Sequence, residues 1–377
     1  MHPRRRRLTL VGHVWKRNTV TRGTHRVWFN KGLSNTYDAI RIIRGADAHR
    51  QLELFASHTL PDAAVLTVAD RAWVEPRTVA SDQEYVAWCL DRCLEHSVDL
   101  FVAQRRRIAI SSARSRFEER GVRVMVLGDA PTLELVERKD AFYRDLAGSG
   151  IPIPRFRIAR TLDEFDHAYR DLRDEGAEVC VKPTVSVNGA GFRILIEGGD
   201  EFDRLMRGDV TSIGLETFRR VLATTSAPRD LMVMEYLPGP ERSVDCVALD
   251  GRLVSAVSRV KLGQNQALEA SGASIEIARR LTERYRFDGM FNLQTRELDG
   301  RPYLLEINSR MSGGILFACL SGVALPYWAV TLALGIHQPG DVPLPWAGAR
   351  VAPVTAAITV DAEAAHGAAE HEVLAPR

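Results

Sequence analysis

Between residues 26 and 127, short apolar runs alternate with longer stretches whose apolar positions recur every three or four residues. The runs at 26–29, 52–56, 64–68, 99–103 and 122–127 have the length and content of buried strands. Helices are expected between them. The clearest covers 82–96, with Tyr85, Cys89 and Cys93 on one side. Another covers 108–120, and an earlier one follows Asn30-Lys31-Gly32 with Ser34 or Asn35 as its cap. This alternation predicts a small parallel α/β unit. No GxGxxG follows its first strand, which disfavours dinucleotide binding.

From Thr132 the pattern changes. A helix through Lys139 and Phe142 ends at Gly148-Ser149-Gly150, and Ile151-Pro152-Ile153-Pro154 runs on extended. A helix is expected at 163–175, strands at 179–182, 192–196 and 231–236, and a hairpin of 243–249 with 253–259 around Asp250-Gly251. A helix at 275–286 follows. This order is mixed α+β, distinct from the first unit. Residues 1–25 are basic and patternless and are expected to be a loosely held extension. Residues 341–377, rich in Ala, Pro and Val, read as a tail with one strand candidate at 354–361.

The stretch from Phe291 to Gly314 carries the most chemistry. It reads as two strands joined at Asp299-Gly300, followed by a glycine-containing loop. Glu306 and Asn308, two residues apart, share a face, with Tyr303, Leu305 and Ile307 on the other. Gln294 joins them if it lies opposite Glu306. A two-residue turn would pair Gln294 with Leu305, so a three-residue loop, 299–301, with a glycine bulge is expected. Three oxygen-bearing side chains with one carboxylate suit Mg2+, or Mn2+ in its place, shared with substrate phosphates. Arg310 is placed to meet an anion beside such a metal. The alternative is an ordinary hairpin whose polar groups face water.

Other segments carry weaker signals. Lys182-Pro183 ends a strand before a loop containing Asn188-Gly189-Ala190-Gly191, where an ammonium and close backbone N–H groups suit nucleotide phosphates; a plain hairpin loop is the alternative. Met234 to Glu241 is a strand that becomes an irregular linker. Its backbone can meet an adenine edge, Glu241 can accept from ribose hydroxyls, and Met234 and Leu237 offer apolar walls; a kinked strand is the alternative. Arg259 and Lys261 project from one side of a strand end, suited to transferring phosphoryl oxygens or simply to solvent. Lys139 on its helix is ambiguous alone.

Composition narrows the function classes. With 377 residues, 45% hydrophobic and 26% charged, the chain is long enough for two or three domains and globular in character. A net charge of +2 points to neither nucleic acid nor membrane as partner. Five cysteines in no metal-ligand pattern fit reduced thiols in a cytoplasmic protein. The uncharged run 313–336 is long enough to cross a bilayer. It contains Gly322 and Pro326 and starts on the proposed site, so buried helices are expected instead.

Taken in order, Lys139, Lys182-Pro183 with its glycine loop, Glu235-Tyr236-Leu237 through Glu241, Gln294, and Glu306-Ile307-Asn308-Ser309-Arg310 resemble the ATP-grasp superfamily, which includes D-alanine–D-alanine ligase, carbamoyl-phosphate synthetase and biotin carboxylase. The resemblance covers roughly 132–336, and the preceding unit is similar to the family's pre-grasp domain. Trp28 to Gly32 and Arg310 to Gly314 further resemble ATP-grasp enzymes associated with tellurium-resistance gene clusters. The fold implied is a pre-grasp α/β domain at 26–130, then two α+β subdomains, 131–237 with a glycine lid and 238–340 with the metal site.

The resemblance also implies roles. Lys139 and Lys182 contact ATP phosphates beneath a cover that includes Ser186, Gly189 and Gly191. Glu235, Tyr236 and Leu237 hold adenine, and Glu241 holds ribose. Gln294, Glu306 and Asn308 carry Mg2+, while Arg310 and either Lys261 or Arg259 meet substrate or the transferring phosphate. Gln294 stands where many relatives have a carboxylate, which argues against a tightly held second metal. The implied reaction is ATP-dependent joining of a small-molecule carboxylate to an amine through an acyl phosphate, with N–H groups of 312–314 as oxyanion donors. Two alternatives are a small-molecule kinase and a non-catalytic nucleotide-binding regulator. Family analogy suggests a homodimer.

Overall fold

The structure, a computed structural model, describes residues 23–185, 190–225, 230–354, 357–358, 360 and 373–374. Three sheets follow one another along the chain. The first holds β1 (His25–Phe29), β2 (Leu52–His58), β3 (Arg71–Val74), β4 (Leu100–Val102) and β5 (Arg123–Met125), all parallel in the order β3-β2-β1-β4-β5. The two-residue strand Val373–Leu374 adds antiparallel to β3. The expected parallel α/β unit is therefore present.

Its details differ from the sequence reading in four places. The run at 64–68 forms a 3-10 helix, Ala64–Thr67, that buries Val65 and Leu66. The strand is Arg71–Val74 instead; a short apolar run can bury itself with either backbone. The helix expected at 108–120 breaks at Ala113 into Arg107–Ser112 and Arg114–Glu118. The helix through Lys139 is two, Ala130–Glu137 and Lys139–Asp145, because Arg138 is extended and the Lys139 N–H donates to Thr184 O (3.4 Å). Helix Asn35–Ala46 starts without a side-chain cap, since the Asn35 amide is engaged elsewhere.

The second sheet contains β6 (Phe156–Ala159), β7 (Val179–Pro183), β8 (Arg193–Ile196), β9 (Ser212–Gly214) and β10 (Leu231–Glu235), ordered β6-β10-β7-β8-β9. Period-two alternation splits its residues between two faces. Val179, Val181 and Val233 pack with Phe165, Leu172 and Phe218 of the covering helices. Cys180, Met232 and Met234 pack with Tyr143 on the opposite face, the one nearer Lys182.

The third sheet is antiparallel throughout: β11 (Glu241–Leu249), β12 (Arg252–Leu262), β13 (Asn265–Glu269), β14 (Gly289–Leu298), β15 (Arg301–Asn308) and β16 (Arg350–Val351), ordered β15-β14-β11-β12-β13-β16. On β11 and β14, Val244, Cys246, Phe291 and Leu293 share a core with Ile277 and Leu281 and with the first unit. The opposite rows change character along the strands. Val247 pairs with Met290 in apolar surroundings, and then Asp245 pairs with Asn292, Ser243 with Gln294 and Glu241 with Arg296. That polar end is the floor of the site.

The uncharged run after Gly313 forms two short helices, Ile315–Cys319 and Leu325–Leu334, with Val330 and Leu332 buried. Among the described residues, no helix is long and apolar enough to cross a membrane. The five cysteines are unpaired thiols, four of them buried. The strand candidate at 354–361 falls largely outside the described residues.

Candidate active site

A cavity of about 380 Å³ lies between the inner face of the second sheet and the polar end of the third. Cys180 and Lys182 of β7, Met234 and Glu235 of β10, and the linker residues Tyr236 and Leu237 form one wall. Glu241, Lys261, Gln294, Arg296, Leu305, Glu306 and Asn308 form the other, with Lys139 and Arg310 at the ends. The structure thus brings together residues that lie as far apart in sequence as 139 and 310.

The β14–β15 hairpin reaches the expected pairing by a different route. Asp299 (φ 52°) and Gly300 (φ 75°) make a two-residue turn, and Leu298 pairs with Arg301. This corrects the expected three-residue loop. The register then slips between Gln294 and Thr295: Thr295 pairs with Leu304, and Gln294 pairs with Glu306. Leu305 is the bulged residue. The bulge also corrects the face assignment, because Leu304 and Ile307 are the buried anchors and Leu305 lines the cavity. The Tyr143 hydroxyl holds the bulge by donating to Leu304 O (3.0 Å) and Leu305 O (2.8 Å).

Charge is concentrated around Glu306. Its Oε2 lies 3.3 Å from Lys139 Nζ. Asn308 Nδ2 contacts Glu306 Oε1 at 3.5 Å and Asn292 Oδ1 at 3.4 Å, leaving the Asn308 Oδ1 as an acceptor. Lys182 sits over the Tyr143 ring, 5.6 Å from its centroid. Burial pushes its pKa down to about 8, with Glu306 opposing the fall and Lys139 adding to it. Burial likewise lowers Arg310, helped by Arg107 and opposed by Glu306 and Glu137.

The linker offers backbone groups, and the Glu235 carboxylate beside them is engaged by arginine. Glu235 is held by Arg155 through Nη2–Oε1 (2.7 Å) and Nε–Oε2 (3.2 Å). Tyr236 N–H donates to Glu178 O (2.7 Å), so among the described residues the Leu237 N–H is the linker donor without a backbone acceptor. Arg296 stacks on Tyr236 at 5.4 Å. Glu241 pairs with Lys261 at 2.6 Å.

Lys261 and Arg259, left open by the sequence, occupy different places. Lys261 lines the cavity. Arg259 is buried beneath it, bound to Asp245 Oδ2 (2.7 Å), Gln266 Oε1 (2.6 Å), Ser243 Oγ (2.9 Å) and Ser312 Oγ (3.0 Å). Gly314 N–H donates to Ser312 Oγ (3.1 Å), which leaves it engaged within its own loop rather than free as an oxyanion donor. Ser186 and Gly189 lie outside the described residues. Gly191 has φ 81°, and a Cβ there would meet the Pro183 ring at 2.8 Å.

The sequence reading missed Asn292, Asp245 and Ser243, which bind one another under the metal-ligand candidates: Asn292 Nδ2 donates to Ser243 Oγ (3.0 Å) and Asp245 Oδ1 (3.1 Å). The signal was legible as polar residues at every second position in Ser243-Val244-Asp245-Cys246 and Asn292-Leu293-Gln294. Among the described residues, no cluster of three or more His, Cys, Asp or Glu could hold a metal. The donor set here is two amides and one carboxylate.

Two sheets close on one cavity lined by Lys139, Lys182 and Lys261 together with Gln294, Glu306 and Asn308. Residues 227–357 match the family model described as ATP-grasp in the biosynthetic pathway with Ter operon. Over this segment the chain is similar to the ATP-grasp superfamily. The chain is 25% identical over 227 residues to the carbamoyl phosphate synthase large chain of Methanothrix thermoacetophila, covering 55% of itself and 19% of that protein. It is 22% identical over 262 residues to the arginine-specific large chain of Bacillus subtilis, covering 65% and 23% respectively. It therefore spans about a fifth of the length of these relatives. Its fold is similar to the biotin carboxylase domain of Hydrogenobacter thermophilus 2-oxoglutarate carboxylase in complex with MgADP, ADP and bicarbonate (TM-score 0.58, 14% identity, 85% of this chain and 72% of that one). It is also similar to an ADP complex of N5-carboxyaminoimidazole ribonucleotide synthetase (TM-score 0.58, 12% identity, 86% and 79%).

Proposed function

We propose that this ATP-grasp protein is an ATP-dependent ligase that joins a carboxylate to an amine or similar nucleophile, releasing ADP and phosphate. The observation that carries the reading is the gathering of Lys139, Lys182, Gln294, Glu306, Asn308 and Arg310 around one cavity walled by an irregular backbone linker. The similar structures in complex with MgADP or ADP support a nucleotide as the ligand.

The donor set fits Mg2+. Glu306, Asn308 and Gln294 offer oxygens from adjacent strands, and a single carboxylate leaves positions for phosphate oxygens. When bound, Mg2+ would neutralise charge on the β- and γ-phosphates. The remaining roles fall to this chain's own residues. Linker backbone from Glu235 to Leu237 would hold adenine, with Met234 as an apolar wall, and Glu241 would accept from ribose. Lys139 would leave Glu306 for the phosphates, where Lys182 would join it. Arg310 and Lys261 would hold the substrate carboxylate in line with the γ-phosphorus against the repulsion of two anions. The carboxylate oxygen forms a bond to the γ-phosphorus as the bond to ADP breaks. The nucleophile then adds to the acyl carbon, loses a proton, and phosphate departs.

The test is product analysis by phosphorus NMR with a panel of carboxylates and amines. ADP and inorganic phosphate, formed only when both substrates are present, are expected. AMP and pyrophosphate, or a stable phosphorylated substrate, would overturn the assignment.

A further inference from the structure

The segment from Ser309 to Gly314 is held by side chains from outside it, and two of these come from the first α/β unit. Asn35, at the start of its helix, donates one amide hydrogen to Met311 O (2.9 Å) and the other to Ser312 O (2.8 Å). Asn35 is 2% exposed, and among the described residues its Oδ1 is buried without a partner. A buried acceptor left unbonded is costly, so the two carbonyls set the orientation of this amide. Arg107 donates from Nε to Ser309 Oγ (2.8 Å) and from Nη2 to Glu137 (2.7 Å). On the other side Arg259 reaches Ser312 Oγ, and its guanidinium lies so close to Gly314 that an added Cβ would fall 2.3 Å from it.

Among the described residues Arg310 donates only to the carbonyl of its own neighbour, Met311 (3.0 Å), and it lines the cavity. Its chain neighbours are tied down while its guanidinium has no carboxylate in bonding range among the described ion pairs. A segment carrying two consecutive glycines would otherwise sample many conformations.

We propose that Asn35 and Arg107 are positioning residues through which the first α/β unit holds Arg310 in place for the transfer step. The clamp makes the first sheet part of the catalytic geometry rather than a separate neighbour. Only the kinetic side of this proposal rests on the ligase reading.

The experiment compares the full chain with Asn35→Asp, which keeps the shape but replaces two donors with an acceptor facing two carbonyls, and with Arg107→Gln. Hydrogen–deuterium exchange of peptides spanning 309–316 should accelerate by about tenfold or more in both variants, with β1 unchanged. The rate of ADP release should fall by roughly 10- to 100-fold, the usual consequence of displacing a reacting group by about 1 Å. ADP affinity should stay within about twofold, and Arg107→Lys, which keeps a donor for Ser309, should recover part of the rate. Unchanged exchange at 309–316, or ADP affinity falling in step with turnover, overturns the proposal. Should Asn35→Asp fail to fold, Arg107→Gln, which releases Ser309 rather than the Met311 and Ser312 carbonyls, carries the same readouts. If the parent protein releases no ADP with any substrate pair, the ligase reading fails and the exchange comparison alone decides the clamp.

Discussion

Lys182 is a charge stored where water is scarce. Its pKa of about 8, against an ordinary 10.5, means that folding holds this ammonium against its preference. The cost is present in full below pH 8. It is relieved as pH rises from about 8 to 10.5, because the folded protein sheds the proton before the unfolded chain does. Lys182→Met should therefore stabilise the nucleotide-free protein at pH 7 by up to about 3 kcal/mol, the equivalent of moving a pKa from 10.5 to about 8, and raise its melting temperature accordingly. The same variant should lose nucleotide-dependent stabilisation. In the parent, nucleotide binding should weaken above about pH 8 and be accompanied by proton uptake, which calorimetry in buffers of different ionisation enthalpy detects. A variant that melts no higher and binds nucleotide as before would remove Lys182 from the site. Residue types were legible at this scale, but partners were not. Nothing in the sequence links Glu235 to Arg155, since that pair forms only when distant segments are side by side.

The hairpin shows what a periodicity argument captures and where it stops. The need for Gln294 to face Glu306 is a statement about side chains and can be made from sequence. How the backbone meets it depends on where the extra residue goes. The chain keeps the tight turn that Asp299-Gly300 favours, with positive φ at both positions, and places the bulge at Leu305, where the Tyr143 hydroxyl donates to the Leu304 and Leu305 carbonyls. Gly300→Ala should cost roughly 1 kcal/mol in urea denaturation because φ 75° strains any Cβ. Nucleotide binding should be unaffected. A neutral substitution would mean the turn does not fix the register. The same limit explains the broken helices at Ala113 and Arg138: local periodicity runs through both positions, and contacts such as Lys139 N–H to Thr184 O decide the break.

At the scale of the whole molecule, the order of sheets was readable and the sharing of cores was not. The first and third sheets contribute to common hydrophobic clusters, whereas the second keeps its own. The cavity therefore lies between a body formed by two sheets and a third sheet packed on separate contacts, an arrangement suited to gripping a ligand between them. Glu306 pairs with Lys139 and Glu241 with Lys261. On the proposed function nucleotide and metal would exchange these partners together, so each should bind poorly without the other.

Calorimetric titration of ADP with and without Mg2+, on the parent and on Glu306→Gln, tests this most directly. ADP should bind the parent at least about tenfold more tightly with Mg2+, and the substitution should abolish that gain, as loss of a metal ligand or its support commonly does. Equal ADP affinity in all four titrations would contradict a metal-assisted nucleotide site between these sheets.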